Sequence, residues 1–280
     1  MKHQKGARPI ECKTVLHHHA KHKLKDVSLD QYTQCYRHWL SNSTDKIIHG
    51  LDDFRHVDFS QGTSHVFDHF VLKHAKRQIV FFAGEFQYHR CISKTINHRL
   101  LHSIEELTPE QALIISFPFS DTGNKHVKFD QIMSTCEYLN IPVCLDLAYW
   151  GIAKDLQLNL SLYNCITEIT CSLSKPFWTL ETHRIGIRFS RDYLDDGISM
   201  LNEVNMANRF SMSLGVWFME KFDNSFCWRR YRDRYYAVCE EMDLTPTSTV
   251  IFGLGDQQRH QEYNRGLNNN YRICISEYLI

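Results

Sequence analysis

The stretch TCSLSKPFWTLETHRIGIRFS, residues 170–190, combines two apolar runs with a lysine between them. The first run, ITEITCSLS (166–174), ends directly before Lys175, and the second is RIGIRFS (184–190). Both runs have the length and composition of buried strands. A lysine at the inner end of a buried strand is unusual unless its amine has a function, although a lysine whose amine extends into solvent is the simpler alternative.

Three more apolar runs lie upstream, separated by segments of helix length: QIVFFAG (78–84), ALIISFPF (112–119) and IPVCLDLAY (141–149). The segment 129–139 places Ile132, Cys136 and Leu139 at helical spacing. Runs that are apolar on both faces and alternate with helices are typical of a mainly parallel sheet covered on both sides. The sequence therefore predicts an α/β three-layer sandwich with a mainly parallel central sheet.

The character of the sequence divides the chain into three regions. Residues 1–50 are polar and rich in His and Lys, contain a predicted amphipathic helix over 29–40, and form an N-terminal arm or small-domain segment. Residues 51–195 contain the predicted strands and form the large domain. Residues 196–280 complete a long helical stretch (192–241) and add two short apolar segments, which predict an interdomain helix and a small α+β terminal subdomain.

Charge and cysteine content exclude several classes of function. The 32 lysines and arginines balance the 32 acidic residues, so no overall field favours nucleic acid or an acidic membrane. The 10 cysteines include no C-x-x-C pair, and several lie in apolar runs, which fits a reducing compartment. The first residues lack the apolar stretch of a signal peptide, and no apolar run approaches about 18 residues. We expect a cytoplasmic protein without nucleic-acid or membrane partners.

Two conspicuous segments have simple explanations. LHHHAKHK (16–23) could bind a metal ion, but it lacks acidic or cysteine partners at regular spacing, and a solvated basic segment is the preferred interpretation. WRRYRDRYY (228–236) mixes cations with aromatic residues, as some nucleic-acid sites do. On a helix the same pattern predicts an exposed face with Arg–Asp pairs and aromatic residues turned inward. We therefore expect neither a metal nor a nucleic-acid site.

Polar residues follow the ends of several predicted strands, where open α/β sheets bind their ligands. Gly62, Thr63 and Ser64 open a predicted helix. Their backbone N–H groups, hydroxyls and helix dipole suit a phosphate, although Ser and Thr are also ordinary N-caps. Asp146 and Tyr149 follow a buried strand. A carboxylate there needs a cation or a hydrogen-bond donor, so a structural ion pair is the alternative to a functional role.

Taken in order, these segments resemble the fold-type I enzymes that depend on pyridoxal 5′-phosphate (PLP), specifically the class I/II aminotransferase family. The motifs of that family are G-[ST]-[STNA], N-P-x-N-P-T-G, D-x-x-Y, S-x-S-K followed by Arg-x-Gly, and a late arginine. This chain has, in the same order, GTS (62–64), FPFSDTG (117–123), DLAY (146–149), SLSK (172–175), RIG (184–186) and YRICIS (271–276). The resemblance spans residues 57–276.

The resemblance implies three catalytic residues. Lys175 would form a Schiff base with PLP and move a proton between the substrate α-carbon and C4′ of the cofactor. Asp146 would pair with the pyridinium nitrogen and keep the ring an electron acceptor. Tyr149 would donate a hydrogen bond to the phenolic oxygen of the ring.

The resemblance also implies a set of binding residues. The cofactor phosphate would be held by Gly62, Thr63, Ser64, Ser172 and Arg184. Phe86 would stack on the ring, with Tyr88 as the alternative, and Arg272 would bind the substrate α-carboxylate as a planar bidentate donor. Ser120 stands where the family has the asparagine of its N-P-T-G motif, and Asp121 replaces the proline.

The function implied is a PLP-dependent aminotransferase that moves an amino group between an amino acid and a 2-oxo acid. A decarboxylase or a C–S lyase on the same cofactor is the closest alternative. A binding or regulatory module without turnover is the alternative from another class, because the chain is shorter than typical members before residue 57 and between Arg184 and Arg272. The family's usual active site implies a homodimer, with Tyr32 or Tyr36 as candidates to reach the partner subunit's phosphate.

Overall fold

The computed structural model describes residues 6–92, 96–263 and 271–280. The α-helices are α1 (Lys13–Ala20), α2 (Leu29–Ser41), α3 (Gly62–Lys73), α4 (Tyr88–Ile92), α5 (Phe129–Leu139), α6 (Gly197–Glu203), α7 (Arg209–Lys221), α8 (Phe226–Glu241) and α9 (Gln257–His260). The β-strands are β1 (Lys46–His49), β2 (His56–Ser60), β3 (Gln78–Phe82), β4 (His98–Leu101), β5 (Gln111–Ser116), β6 (Val143–Asp146), β7 (Leu156–Asn159), β8 (Ile166–Ser172), β9 (Gly186–Ser190), β10 (Thr245–Pro246), β11 (Phe252–Gly255) and β12 (Tyr271–Cys274).

The main sheet has the strand order β2-β9-β8-β6-β5-β3-β4. The pairs β3–β4, β3–β5, β5–β6 and β6–β8 are parallel, whereas β9 is antiparallel to both β8 and β2. The five strands predicted from apolar runs, β3, β5, β6, β8 and β9, all lie in this sheet. A mainly parallel sheet is therefore confirmed.

Alternate side chains of the central strands enter apolar clusters on opposite faces of the sheet. One cluster joins Ile79, Ala112, Ile114 and Cys144 of the strands to Val66, Phe67, Phe70 and Val71 of α3. The other joins Val80, Leu113, Ile115 and Leu145 of the strands to Ile132, Met133 and Cys136 of α5. A strand that buries both faces needs apolar residues at nearly every position, which is why these runs are continuous rather than alternating. The three-layer sandwich is thus confirmed.

The helical region after residue 192 is divided into three helices rather than forming one long stretch. The Asp196 side chain accepts hydrogen bonds from the backbone N–H groups of Ile198 and Ser199 and so begins α6. Asn208 accepts from the N–H of Ser211 and begins α7 in the same way. Side chains of this type at an N-cap start a new helix because they satisfy N–H groups that have no partner inside it.

The C-terminal strands β10, β11 and β12 form a small antiparallel sheet after α8. Within α8, Tyr231 and Tyr235 are buried, whereas Arg229, Arg232 and Arg234 are exposed. This arrangement confirms the prediction that residues 228–236 present cations to solvent, and Tyr231 and Tyr235 face the interior as predicted, whereas Tyr236 is exposed.

Helix α2 begins with a capping box formed by Ser28 and Gln31. Its N-cap residue, Ser28, directly precedes the helix predicted over 29–40. Tyr32 and Tyr36 are fully buried on its inner face, and the Tyr32 hydroxyl donates to the Gly186 carbonyl over 2.7 Å. The idea that one of these tyrosines reaches a partner subunit's phosphate is therefore wrong, because both side chains are enclosed by their own chain.

Helix α1 contains most of the His-rich segment, and the Nε2 atoms of His19 and His183 lie 3.2 Å apart. Among the described residues, no group of three or more His, Cys, Asp or Glu side chains is arranged to hold a metal ion. No helix in the described part of the chain is both long and apolar enough to cross a membrane.

Candidate active site

The carboxyl ends of β5, β6 and β8 lie side by side at one edge of the sheet. Asp146, the last residue of β6, pairs with Ser116 at the end of β5 and with Thr170 of β8. Strand β8 ends at Ser172, and Lys175 follows in the turn. Because parallel strands end at the same edge, the acidic and basic residues predicted from separate motifs approach each other here.

The first turn of α3 and the turn before β9 form a polar cradle, which we define as Gly62, Ser64 and Arg184. The Arg184 guanidinium donates to the Ser64 hydroxyl over 2.5 Å. Gly62 has a φ of +73°, and a Cβ at this position would lie 2.8 Å from Nη2 of Arg184. Glycine is thus required both for the left-handed backbone and for the close approach of the guanidinium.

Ser172 adjoins the cradle through Gly186. It pairs with Gly186 across β8 and β9, and a Cβ on Gly186 would lie 2.7 Å from the Cα of Gly62. The Ser172 hydroxyl lies 2.8 Å from that of Ser174. Thr63 is buried in the first turn of α3, between Gly62 and Ser64. The structure therefore brings together a guanidinium, several hydroxyls and a helix N-terminus, a donor set that suits a phosphate group.

Lys175 and Arg272 are brought together by the N-terminal arm. Nζ of Lys175 donates to the Ala7 carbonyl over 2.5 Å and lies 3.7 Å from Glu181. Nη2 of Arg272 donates to the neighbouring Gly6 carbonyl over 3.3 Å. Lys175 and Arg272 are far apart in the sequence but contact adjacent peptide units. A ligand that binds Nζ of Lys175 or Nη2 of Arg272 must therefore replace these hydrogen bonds.

Arg272 lies in β12 with only 2% of its surface exposed. Its Nη1 donates to the Ser120 carbonyl, and its guanidinium lies over the Phe252 ring, 4.1 Å from the centroid. The Ser120 N–H donates to the Ser116 hydroxyl over 2.8 Å. The loop that ends in Ser120 is therefore fixed between β5 and the arginine. Tyr149 is buried nearby, with its ring edge-on to Phe252 at 5.4 Å between centroids.

Asp146 is buried, and its Oδ1 accepts the Ala148 N–H over 2.9 Å. Burial raises the pKa of the Asp146 carboxyl to about 8; the negative charge of Glu85 adds to the rise, and the Ala148 hydrogen bond and the Lys175 charge oppose it. A positively charged partner at close range would stabilise the ionised form of such a buried carboxyl.

The raised pKa of Asp146 predicts how the stability of the apoprotein depends on pH. In the unfolded chain an aspartate has a pKa near 3.9, against about 8 in the folded protein. The stabilisation from the protonated form is complete below the unfolded value and is lost as the pH rises through the folded one. We expect the free energy of unfolding to fall more steeply between about pH 4 and about pH 8 in the wild type than in Asp146→Asn.

Urea unfolding of both apoproteins at several pH values measures this difference. The substitution removes the titration of Asp146 together with its coupling to Glu85 and Lys175, so the difference in slope reports Asp146 and these two neighbours. Equal slopes would contradict the raised pKa.

The two candidate stacking residues, Phe86 and Tyr88, both follow β3. Phe86, the preferred stacking ring, is 45% exposed and lies nearly parallel to Tyr88, with centroids 6.0 Å apart. The Tyr88 hydroxyl donates to the Asp68 carboxylate over 3.0 Å. The pKa of Tyr88 is raised by burial and by Asp68, whereas Ser64 and Arg184 lower it. The hydroxyl of the alternative residue, Tyr88, therefore lies beside the cradle.

Sequence reasoning missed Glu85. Its side chain is only 3% exposed and accepts the N–H and the hydroxyl of Ser116, both over 2.7 Å. The available signal was its position, since Glu85 follows β3 and so belongs to the same edge of the sheet as Asp146. An acidic residue after a glycine is typical of a surface turn, so the sequence favours an exposed Glu85 and does not predict its burial.

The architecture is that of the fold-type I PLP-dependent enzymes. The chain is similar to the PLP-bound C–S lyase of Staphylococcus hominis complexed with L-cycloserine, with a TM-score of 0.70 and 11% identity over 98% of this chain and 84% of that one. It is also similar to alanine aminotransferase of Pyrococcus furiosus, with a TM-score of 0.67 and 12% identity over 96% and 84% of the two chains.

A third similar structure is N-succinyldiaminopimelate aminotransferase of Mycobacterium tuberculosis, with a TM-score of 0.67 and 12% identity over 97% of this chain and 88% of that one. No protein-family model matches the chain, and no curated protein sequence matches it. The predicted fold and its resemblance to PLP-dependent enzymes are confirmed by these structural similarities. The sequence identities are only 11–12%, and neither sequence search found a match.

Proposed function

We propose that this protein is a PLP-dependent aminotransferase in which Lys175 holds PLP as a Schiff base. It would move an amino group between a free amino acid and a 2-oxo acid. The observation that carries the proposal is the common edge of β6 and β8, where Asp146, Lys175 and the cradle of Gly62, Ser64 and Arg184 occupy adjacent strand ends. Similarity to solved aminotransferases supports it.

The residues present fit the cofactor. The close approach of Arg184 to Gly62, which places the guanidinium beside the first turn of α3, is possible only because glycine lacks a Cβ. The buried carboxyl of Asp146 suits a cationic ring nitrogen. Bound PLP supplies an aldehyde that condenses with amines and a ring that withdraws electrons from the substrate α-carbon.

The side chains of this site would then have separate tasks. Arg184, Ser64, Thr63 and Ser172, with the backbone of Gly62, would hold the phosphate, and Asp146 would keep the ring nitrogen protonated. Tyr149 and Ser120 would lie near the phenolic oxygen, with Phe86 or Tyr88 beside the ring. Nζ of Lys175 would take the proton from the α-carbon and return it at C4′. Arg272 would orient the substrate by its carboxylate.

The proposal includes the setting of the enzyme. The described cysteines are all free and most are buried, which supports a reducing compartment such as the cytoplasm. A homodimer is expected because active sites of this fold usually lie between two subunits. The substrates are small molecules, and we propose no nucleic-acid or membrane partner.

A C–S lyase is the second candidate, because the S. hominis C–S lyase has the highest TM-score of the three structures compared above. Both reactions begin with the same groups, so the strand-edge site does not separate them. They differ in what happens after proton removal, and therefore in products.

Product analysis tests the proposal. The purified protein is incubated with PLP, and an absorbance band near about 420 nm that disappears with borohydride is expected for a lysine-bound cofactor. A panel of amino acids is then supplied with and without a 2-oxo acid acceptor. We expect a new amino acid only when the acceptor is present. Release of ammonia and pyruvate, or of carbon dioxide, without an acceptor would indicate the lyase or decarboxylase, and no band at all would indicate a module without turnover.

A further inference from the structure

A second buried carboxylate lies at the strand edge beside Asp146. Glu85 follows β3, and both of its oxygens accept hydrogen bonds from Ser116, one from the N–H and one from the hydroxyl, each over 2.7 Å. Ser116 is the residue of β5 that pairs with Asp146 of β6. The Glu85 carboxylate is therefore held one strand away from Asp146.

The hydrogen bonds from Ser116 favour the charged form of Glu85. Ser116 directs its N–H and its hydroxyl hydrogen toward the carboxylate, while the Ser116 oxygen accepts the N–H of Ser120 over 2.8 Å. Two donors at charge-assisted distances favour an ionised carboxylate. With its side chain only 3% exposed, Glu85 acts on its neighbours with little screening by water.

Several charged or titratable groups face Asp146 from the surrounding elements. Glu85 lies after β3, Lys175 lies after β8, and the thiols of Cys144 and Cys171 belong to β6 and β8. The thiols are buried, which raises the pKa of each and keeps both neutral at ordinary pH. Among the described residues, Glu85 and Lys175 are the charged groups that act on Asp146, with opposite signs.

We propose that Glu85 is a positioning residue that adds negative charge behind Asp146, so that the pair holds a proton on the partner of Asp146 more firmly than a single carboxylate would. The inference rests on the proposed function in one respect: the partner is the ring nitrogen of PLP. Glu85 itself contacts Ser116 and acts through Asp146, and its two hydrogen bonds from Ser116 keep it at a fixed distance from Asp146.

The first test uses the apoprotein and needs no cofactor. Selective ¹³C labelling of carboxyl groups reports the titration of Asp146 and Glu85 separately. In the wild type, Glu85 is expected to be ionised at neutral pH while Asp146 titrates late. Glu85→Gln keeps the size and one acceptor oxygen but removes the charge, and it is expected to lower the Asp146 midpoint by roughly one pH unit. The matched control is Glu110→Gln at an exposed position, with no expected shift.

The second test uses the protein loaded with ¹⁵N-labelled PLP, whose ring nitrogen signal reports its proton. In Glu85→Gln the midpoint for loss of this proton is expected to fall by a similar amount. An unchanged Asp146 midpoint in Glu85→Gln, or a protonated Glu85 at neutral pH in the wild type, would overturn the role of Glu85. The wild-type measurement decides even where the variant fails to fold. Failure of the wild type to bind labelled PLP would instead count against the proposed function, and the apoprotein titration would still decide about Glu85.

Discussion

Lys175→Ala is expected to eliminate the absorbance at about 420 nm and the lysine adduct that borohydride reduction leaves, and to lower kcat/KM for transamination by about 10²- to 10⁴-fold. The physical reason is that one amine has two tasks, the covalent attachment of the cofactor and the transfer of the proton. Lys175 is half-buried next to Asp146, and its present acceptor is the carbonyl of Ala7, which a covalent ligand would displace. Absorption spectra, peptide mass after reduction and steady-state rates measure the three effects.

The buried lysines Lys46 and Lys154 already donate hydrogen bonds to structural partners. Nζ of Lys46 donates to the carbonyls of Ala153 and Asn224, and Lys154 pairs with Asp155. They are not expected to replace Lys175. Lys76→Ala, at an exposed position, is the control and should leave spectrum and rate unchanged. A variant Lys175→Ala that still yields a reduced lysine adduct at full occupancy would place the cofactor elsewhere.

The central strands were predictable because burial on both faces leaves a continuous apolar signature. Strands β3, β5, β6, β8 and β9 and helix α5 all lie where the sequence indicates. The missed strands are short or polar. β2 is HVDFS and β4 is HRLL, at the two edges of the sheet, and β1 and β7 pair only with each other. These strands are only four or five residues long, so even a period-2 alternation such as LQLN of β7 is too short to stand out in the sequence.

The site was predictable where local spacing determines it and unpredictable where it depends on tertiary contacts. Gly62, Ser64 and Arg184 were inferred from motif order, and they do meet. The contact of Arg272 with Gly6 joins residues at opposite ends of the chain, and no local pattern encodes it. The burial of Glu85 depends on the hydroxyl of Ser116 in another strand, which the sequence of β3 alone does not reveal.

Arg272→Ala is expected to lower kcat/KM for amino acids by about 10²- to 10³-fold, the effect of removing one partner of a buried charge pair worth about 2–5 kcal/mol. The absorbance of the loaded protein should be retained, because Arg272 lies on β12 and not among the strand ends that would hold the cofactor. The side chain is already oriented by the Ser120 carbonyl and by the face of Phe252. Its donation to the Gly6 carbonyl is a contact that a substrate carboxylate would replace. Rates and spectra of the same preparations measure both properties.

A comparison of substrates separates loss of the carboxylate contact from a general defect. The wild type is expected to favour an amino acid over the amine that lacks its carboxylate, and Arg272→Ala should lose most of that preference. Arg272→Lys should recover part of it, because an ammonium keeps the charge but not the bidentate geometry. Arg232→Ala, on the exposed face of α8, is the matched control. If Arg272→Ala lowers the rates for acid and amine equally, the arginine supports the loop at Ser120 rather than the substrate, and the carboxylate must be bound by another group.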